Sequence, residues 1–286
     1  MTQEQGTLTC GTCPHGCRLR EGQRGVCLAR GVQGGEIRLL NYGAVTSIAL
    51  DPIEKKPLAD FYPGSMILSI GGFGCNLACP FCQNHEIAQP AEGGDDMPGL
   101  PVRMIPPEEL CALAEEFSAM PEGNLGVAYT YNEPLISWEY VRDAGRLIHG
   151  SGMKNVAVTN GCVTDTVLDE ILPVIDAWNI DLKVFTEEGY RRLGGDLKTV
   201  MNTITRAAAV SHVEVTSLIV PGLNDSPADM EREAAWLAGI DPEMILHITR
   251  YFPRFRMREP ATDIACMEQL RKTAQRYLKR VLLGNI

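Results

Sequence analysis

The sequence lacks an apolar run close to the length of about 18 residues that a membrane-spanning helix needs. Its first ten residues, MTQEQGTLTC, also lack the basic start and the apolar stretch of a secretory signal. With 45% hydrophobic and 22% charged residues over 286 positions, the composition is typical of a globular protein. These features predict a cytoplasmic protein without a membrane partner, built as one large α/β domain with an appendage or as two modest domains.

Positive charge is scarce as well. The chain has 26 Lys and Arg against 36 Asp and Glu, which gives a net charge of −10. Because such a surface opposes binding to a phosphate backbone, we expect no nucleic-acid partner. Two local stretches are basic nonetheless, RYFPRFRMR at 250–258 and RKTAQRYLKR at 271–280. We interpret the second as a solvated helix face, which leaves the first as the candidate for a basic patch.

Cysteine, by contrast, is abundant, with ten residues in the chain. In a reducing compartment, clustered cysteines are typical of metal or redox sites rather than of disulfides. Cys111, Cys162 and Cys266 are isolated, and we expect them to be small buried apolar residues. The other seven form two clusters, Cys10, Cys13, Cys17 and Cys27, and then Cys75, Cys79 and Cys82.

Short apolar, β-branched runs alternate with longer amphipathic stretches from residue 66 onward. This pattern predicts parallel strands separated by helices. Six units rather than eight favour a partial (β/α)6 TIM-like barrel with a lateral gap, and a doubly wound sheet is the alternative. The six predicted strands are residues 66–72, 125–131, 155–161, 177–185, 212–220 and 244–252.

The first 62 residues have a different character, with a cysteine cluster and many glycines. The stretch EIRLLNYGAVTSIAL, 36–50, alternates like a hairpin around Asn41, Tyr42 and Gly43. We therefore predict two parts, a small N-terminal cysteine-rich module over 1–62 and the partial barrel over 63–286.

The stretch GCNLACPFCQN, 74–84, places Cys75, Cys79 and Cys82 directly after the first predicted barrel strand. A cubane iron–sulfur cluster has four irons, so three thiolates leave one iron open. An open coordination position is typical of a catalytic metal. The alternative is a zinc knuckle with a distant fourth ligand, such as His85 or another cysteine.

The Cys-x3-Cys-x2-Cys spacing, with Phe81 just before the last cysteine, resembles the signature of radical S-adenosylmethionine (SAM) enzymes. The resemblance extends to about residue 252 and is closest to the pyruvate formate-lyase-activating enzyme branch. Within that branch the chain resembles the radical SAM component of the AmmeMemoRadiSam system, through the segments CGTCPHGCRLREGQRGVC, DPIEKKPL, FCQN, YTYNEP, DLKVF and VPGLND.

The resemblance implies a [4Fe–4S] cluster on Cys75, Cys79 and Cys82 as the catalytic centre, with SAM bound at the open iron. An electron from an external donor such as flavodoxin or ferredoxin would cleave SAM into methionine and a 5′-deoxyadenosyl radical. That radical would abstract hydrogen from an unidentified substrate, which makes the chain an oxidoreductase. Two alternatives are an activase that installs a glycyl radical on a partner protein, and a non-catalytic zinc-bearing interaction module.

The resemblance also implies the SAM contacts. Glu133 keeps the carboxylate that would hold the methionine ammonium, in YNEP where the family usually has GGEP. Val158 stands where the activating enzymes often carry an aspartate. Asp181 and Lys183 match an Asp-x-Lys pair that faces the barrel interior, with a structural ion pair as the alternative. The implied cofactor-binding residues are Phe81, Asn132, Glu133, Asn160, Asp181, Lys183, Val220 beside the adenine and His247 near the ribose.

The N-terminal cluster supplies four thiolates within eighteen residues, the number that a closed tetrahedral site needs. Structural zinc and a closed auxiliary iron–sulfur cluster both fit this count. Because the spacing departs from the ferredoxin pattern and Pro14 suits a knuckle, zinc is slightly favoured. The predicted ligands are Cys10, Cys13, Cys17 and Cys27.

Overall fold

Eight strands form the main sheet of the protein. The computed structural model describes residues 6–90 and 100–286. The strands of the described chain are β1 (Leu8–Thr9), β2 (Arg18–Leu19), β3 (Arg30–Gln33), β4 (Glu36–Leu39), β5 (Ala44–Val45), β6 (Ser47–Pro52), β7 (Met66–Gly71), β8 (Arg103–Met104), β9 (Gly126–Tyr129), β10 (Lys154–Thr159), β11 (Ala177–Asp181), β12 (His212–Ile219), β13 (Ile245–Arg250) and β14 (Val281–Gly284). The helices are α1 (His85–Ala88), α2 (Pro107–Ser118), α3 (Trp138–Gly150), α4 (Asp165–Ile171), α5 (Glu187–Arg192), α6 (Leu197–Ala208), α7 (Pro227–Ile240) and α8 (Ile264–Ala274).

The strand order of the main sheet is β14-β13-β12-β11-β10-β9-β7-β6. The six predicted strands are β7 and β9 to β13, which lie side by side in chain order and pair in parallel. A doubly wound sheet reverses its strand order at a switch point. Here the order advances without a reversal, so the partial TIM-like barrel is confirmed and the doubly wound alternative is wrong.

Two edge strands extend the predicted set of six. β14 adds a parallel strand beside β13, and β6 pairs antiparallel with β7. β6 lies within the segment 1–62, so part of that segment contributes directly to the barrel sheet.

The predicted hairpin around Asn41 to Gly43 is wrong. The hairpin is instead formed by β3 and β4, with Gln33 opposite Glu36 across the two-residue turn Gly34-Gly35. Both glycines have positive φ, +64° and +78°, which is the backbone of a type I′ turn. The Gly-Gly pair between the two short strands was the sequence signal for this turn.

Side chains alternate between the two faces of the sheet, and each face belongs to a different hydrophobic core. Outward-facing residues such as Leu68, Val127 and Trp178 pack under the helices. The inward-facing Ile67, Ala128, Val156 and Ala177 instead pack against Ile53 and Leu58, which precede β7 in the chain. Residues 53–60 therefore enter the barrel and close it at the amino-terminal ends of its strands.

Two inward-facing polar side chains anchor this closing segment, which we call the floor (residues 53–60). The Asn179 amide donates to the Pro57 carbonyl at 2.8 Å. The buried Glu214 carboxylate accepts from the Ala59 N–H at 2.8 Å and the Asp60 N–H at 2.9 Å. Burial opposes the ionised form of Glu214, but hydrogen bonds from His212, His247 and Ala59 outweigh it and lower its pKa. The floor is thus held by a buried, charged acceptor.

Glu233 on α7 gives a testable pH dependence of stability. Its carboxyl group is buried beneath the sheet and accepts from the Ser217 hydroxyl, and burial raises its pKa from 4.5 to about 7. Because the folded chain keeps a proton that the unfolded chain loses above pH 4.5, stability falls as pH rises through that interval. We expect Glu233→Gln, which keeps the acceptor, to remove a pH dependence on the order of 3 kcal/mol in urea unfolding between pH 5 and 7. Glu231→Gln, a change on the same helix at a half-buried position whose pKa is lowered by Tyr277 and Arg276, should retain the wild-type slope, and an unchanged slope in Glu233→Gln would contradict the assignment.

Candidate functional site

A cavity of about 750 Å³ lies inside the barrel, between the floor and the loops at the carboxyl ends of the strands. Its wall includes residues from the loop after β7, from β11 to β13, and from β14 at the sheet edge. The structure places ten predicted site residues on this wall: Cys75, Cys79, Phe81, Cys82, Asn132, Glu133, Asn160, Asp181, Lys183 and His247.

Val220 is the exception among the predicted cofactor contacts. It is fully buried in the core on the helix side of the sheet and is absent from the cavity wall. β12 ends at Ile219, and the chain then turns, with the Leu223 N–H donating to the Val220 carbonyl at 3.0 Å. The inward alternation that brings Thr216 and Leu218 to the cavity is therefore broken before Val220.

The loop that carries the three cysteines is shaped by Gly74. Its φ is +92°, and a Cβ there would lie 2.3 Å from the Cys27 carbonyl oxygen. The loop therefore touches the N-terminal module directly. The Asn76 carbonyl accepts from His15 Nε2 at 2.8 Å, and the Thr164 N–H donates to the Thr12 carbonyl at 3.1 Å. The segment that carries the four N-terminal cysteines is therefore in direct contact with the three-cysteine loop.

Burial governs the three thiols of this loop. It raises the pKa of Cys75, Cys79 and Cys82, and that of Cys79 reaches about 11. The Lys183 charge counteracts the shift at Cys79 and Cys82. The Cys75 sulfur also accepts weak hydrogen bonds from the Leu77 N–H at 3.4 Å and the Asn160 amide at 3.6 Å. Hydrogen bonds of this kind tune thiolates that bind metals.

Glu133 connects the ends of β9 and β10. One carboxylate oxygen accepts from the Leu135 N–H at 2.9 Å and the Thr159 hydroxyl at 2.6 Å, and the other accepts from the Asn160 N–H at 2.7 Å. Burial raises the pKa of Glu133 to about 7, although these hydrogen bonds oppose the shift. A buried carboxylate with this pKa gains from a cationic partner in the cavity.

Asn132 has a structural function that the sequence did not reveal. Its side-chain oxygen accepts from the Gly72 N–H at 2.9 Å, and its amide donates to the Gly74 carbonyl at 3.0 Å. The residue that replaces a glycine of the family pattern therefore fixes the start of the cysteine loop.

Lys183 and Asp181 form an ion pair on the cavity wall, with 2.7 Å between the ammonium and the carboxylate. Burial opposes the charged form of Lys183, but Asp181 and the neighbouring cysteine thiolates together raise its pKa. His247 also lies on the wall, where its Nε2 is 2.5 Å from the Glu214 carboxylate that anchors the floor. The Lys183–Asp181 pair thus provides a cation and an anion at the cavity wall, whereas His247 supports the floor through Glu214.

A polar group that contacts the cavity through Tyr131 was not predicted. The buried Lys56 ammonium donates to Asp51 at 2.8 Å and lies 4.9 Å from the centre of the Tyr131 ring, while the Tyr131 hydroxyl donates to the same Asp51 oxygen at 2.8 Å. Burial opposes ionisation of Asp51, but these hydrogen bonds lower its pKa to about 2. Two lysines and two acidic residues within the short DPIEKKPL segment were the available signal.

The N-terminal cysteines are close enough to influence one another. Cys10, Cys13 and Cys27 are buried, and the Cys10 N–H donates to the Cys17 carbonyl at 2.9 Å. Burial, together with repulsion from the other three thiolates, raises the pKa of Cys13 to about 11. In the described chain, no three His, Cys, Asp or Glu side chains, those of the two cysteine clusters included, already stand at the spacing of metal ligands, so a bound metal would require the cysteine side chains to turn toward it.

The chain belongs to the radical SAM superfamily, whose family model matches residues 69–237. It is 35% identical over 289 residues to the uncharacterized protein MJ0808 of Methanocaldococcus jannaschii. The aligned region covers 99% of this chain and 83% of that protein. It is also 27% identical to the pyruvate formate-lyase 1-activating enzyme of Escherichia coli over 56% of this chain and 63% of that enzyme. This similarity places it in the activating-enzyme-like branch, and the chain is an enzyme of a family that uses SAM and a [4Fe–4S] cluster.

A solved structure supports the fold. The radical SAM methyltransferase from Sphaerobacter thermophilus superposes with a TM-score of 0.58 at 16% identity, over 78% of this chain and 67% of that one. Within residues 6–90 and 100–286, no helix is long and apolar enough to cross a membrane.

Proposed function

We propose that the protein binds a [4Fe–4S] cluster through Cys75, Cys79 and Cys82, binds SAM beside it, and abstracts a hydrogen atom from a substrate in the same cavity. The observation that carries this proposal is that three thiols from one loop share a cavity of about 750 Å³ with the Glu133 carboxylate and the Lys183 ammonium. The donor set fits the cluster, because thiolates are its usual protein ligands. When bound, the cluster and SAM supply one-electron cleavage to methionine and a 5′-deoxyadenosyl radical.

The charges on the wall match the amino-acid end of SAM. Glu133 is 2% exposed and is held by three donors, so its carboxylate is preorganised to accept from an ammonium group. Lys183 is held by Asp181 and offers its ammonium to a carboxylate. The Asn160 amide, 3.6 Å from the Cys75 sulfur, orients the cysteine loop.

The closed sides of the cavity favour a small molecule over an inserted polypeptide as substrate. Glu54 to Ala59 of the floor and Leu282 to Asn285 at the opposite sheet edge line the same cavity. The Asp60–Arg280 ion pair joins the end of the floor to the residue just before β14. Because an extended chain needs an uncovered groove, we favour the small-molecule oxidoreductase over the alternative of a glycyl-radical activase.

Cys10, Cys13, Cys17 and Cys27 are proposed to hold a second metal centre, either zinc or an auxiliary iron–sulfur cluster. Their burial and mutual repulsion favour a bound cation that neutralises the thiolates. Metal analysis of a variant with Cys75, Cys79 and Cys82 all changed to alanine separates the two metals, because only the N-terminal site then remains.

The experiment that tests the catalytic proposal uses protein purified without oxygen. We expect iron and sulfide in equal amounts, brown colour, and formation of 5′-deoxyadenosine and methionine in a one-to-one ratio when a reductant and SAM are added. Zinc without sulfide, together with intact SAM, would instead support the non-catalytic zinc-bearing module.

A further inference from the structure

A basic loop follows β13 and lies over the cysteine loop. Arg254, Arg256 and Arg258 are exposed, and none of them takes part in an ion pair among the described residues. Glu259 is the acidic neighbour, and it accepts from the Arg258 N–H at 3.1 Å. In a chain of net charge −10, three alternating arginines that form no ion pair among the described residues are a local exception. We call residues 254–258 the basic loop.

Two contacts hold the basic loop against the cysteine loop. The Arg256 N–H donates to the Pro80 carbonyl at 2.9 Å, and Pro80 directly follows Cys79. The Phe255 ring stacks on His85 at 4.4 Å between ring centroids, and the Arg256 guanidinium lies 4.7 Å from the centre of the same ring. Phe255 has a φ of +51°, an unfavourable value that these contacts stabilise.

The same packing shows the surroundings of His85, which the sequence analysis named as a possible fourth ligand of a zinc knuckle. Its ring is engaged with Phe255, and its Nδ1 lies 3.3 Å from the Cys82 carbonyl. The basic loop is therefore fixed to the second half of the three-cysteine segment, at Pro80 and at His85.

We propose that the basic loop is the docking site of an acidic one-electron carrier protein that reduces the cluster. This inference rests on the proposed cluster at Cys75, Cys79 and Cys82. Each cleavage of SAM consumes one electron, so the carrier is oxidised by one electron as the cluster is reduced. Because the basic loop is hydrogen-bonded to the cysteine loop at Pro80, a carrier attracted by its positive charge is brought beside the cysteines of a protein that is otherwise negatively charged.

The test compares two reductants on the cluster-loaded protein. One is a pre-reduced acidic flavodoxin, and the other is reduced methyl viologen, a small cation that needs no docking site. We expect the variant Arg254→Ser/Arg256→Ser/Arg258→Ser to lose about tenfold or more of the flavodoxin-driven rate at low salt and to keep the viologen-driven rate. The difference from wild type should shrink as added salt screens the charges.

The matched control removes three positive charges from the opposite end of the barrel. Lys272, Arg276 and Lys279 are exposed, and the Lys279 N–H donates to the Pro242 carbonyl just before β13 begins. Changing these three residues to serine should leave both rates near wild type. If the triple arginine variant takes up less iron, the Arg254→Ser/Arg258→Ser variant preserves the Arg256 contact with Phe255 and is compared instead.

Two results would overturn the docking proposal. One is that the triple arginine variant keeps the wild-type rate with flavodoxin and the wild-type dependence of that rate on salt. The other is that the variant loses the same fraction of its rate with flavodoxin and with methyl viologen, which would indicate that the loop only supports the cysteines. Failure of the proposed function has a different signature, because then neither reductant yields 5′-deoxyadenosine from wild-type protein.

Discussion

Cys79→Ala is expected to abolish reductive cleavage of SAM, by roughly 1000-fold or more, as for members of a catalytic unit that act together. Cys79 is 7% exposed and lies on the wall beside Lys183, whose charge acts on its thiolate. Removing this thiolate leaves two ligands from the loop, so the cluster loses a corner that no nearby residue replaces. The measurements are iron and sulfide content and the yield of 5′-deoxyadenosine.

The control for this variant is Cys111→Ala. Cys111 lies on α2, away from the cavity, with its sulfur 3.4 Å from the Ser151 hydroxyl. It should retain iron, sulfide and activity. Wild-type cleavage in Cys79→Ala, with the cluster intact, would refute the assignment of this ligand.

The cysteine loop and the barrel could be predicted because their signals are local. The spacing of three cysteines within eight residues can be recognised whatever strand order is predicted. Each strand is likewise marked by its own apolar run. The predicted site residues that line the cavity, such as Asp181 and Lys183, stand at strand ends, and parallel strands bring those ends together.

The floor could not be predicted, because its contacts join distant parts of the chain. Ala59 and Glu214 are 155 residues apart, and nothing near Glu214 in sequence indicates that its partners are backbone N–H groups. Likewise, Asp51 and Tyr131 meet only because β6 and β9 flank β7 in the sheet. Val220 was predicted from the resemblance of its segment alone, and the turn that follows β12 places it in the core rather than on the cavity wall.

The basic loop depends on the same kind of contact. The sequence marks 250–258 as basic, but only the Arg256–Pro80 hydrogen bond shows that the loop contacts the cysteine loop. The docking proposal therefore depends on a contact between segments about 175 residues apart in the chain, which the candidate basic patch alone did not reveal.

Glu133→Gln is expected to weaken SAM binding to the cluster-loaded protein about 10- to 100-fold, equivalent to about 1.5–3 kcal/mol for one charge-assisted hydrogen bond. The amide is neutral, and its NH2 group cannot accept from both the Thr159 and Asn160 sides as the carboxylate does. Because the ionised form binds the ammonium and the pKa of Glu133 is about 7, wild-type affinity should rise with pH through neutrality. That rise should be absent in the variant, as measured by equilibrium binding of SAM at several pH values.

Glu233→Gln is the matched control, since Glu233 is also buried with a pKa of about 7 but contacts Ser217 on the helix side of the sheet. A general loss of stability from changing a buried glutamate would affect SAM binding in both variants. Loss in Glu133→Gln alone assigns the effect to the cavity, because of these two glutamates only Glu133 lines it. Equal affinities in wild type and Glu133→Gln, with the cluster present, would show that the methionine ammonium is held by another group.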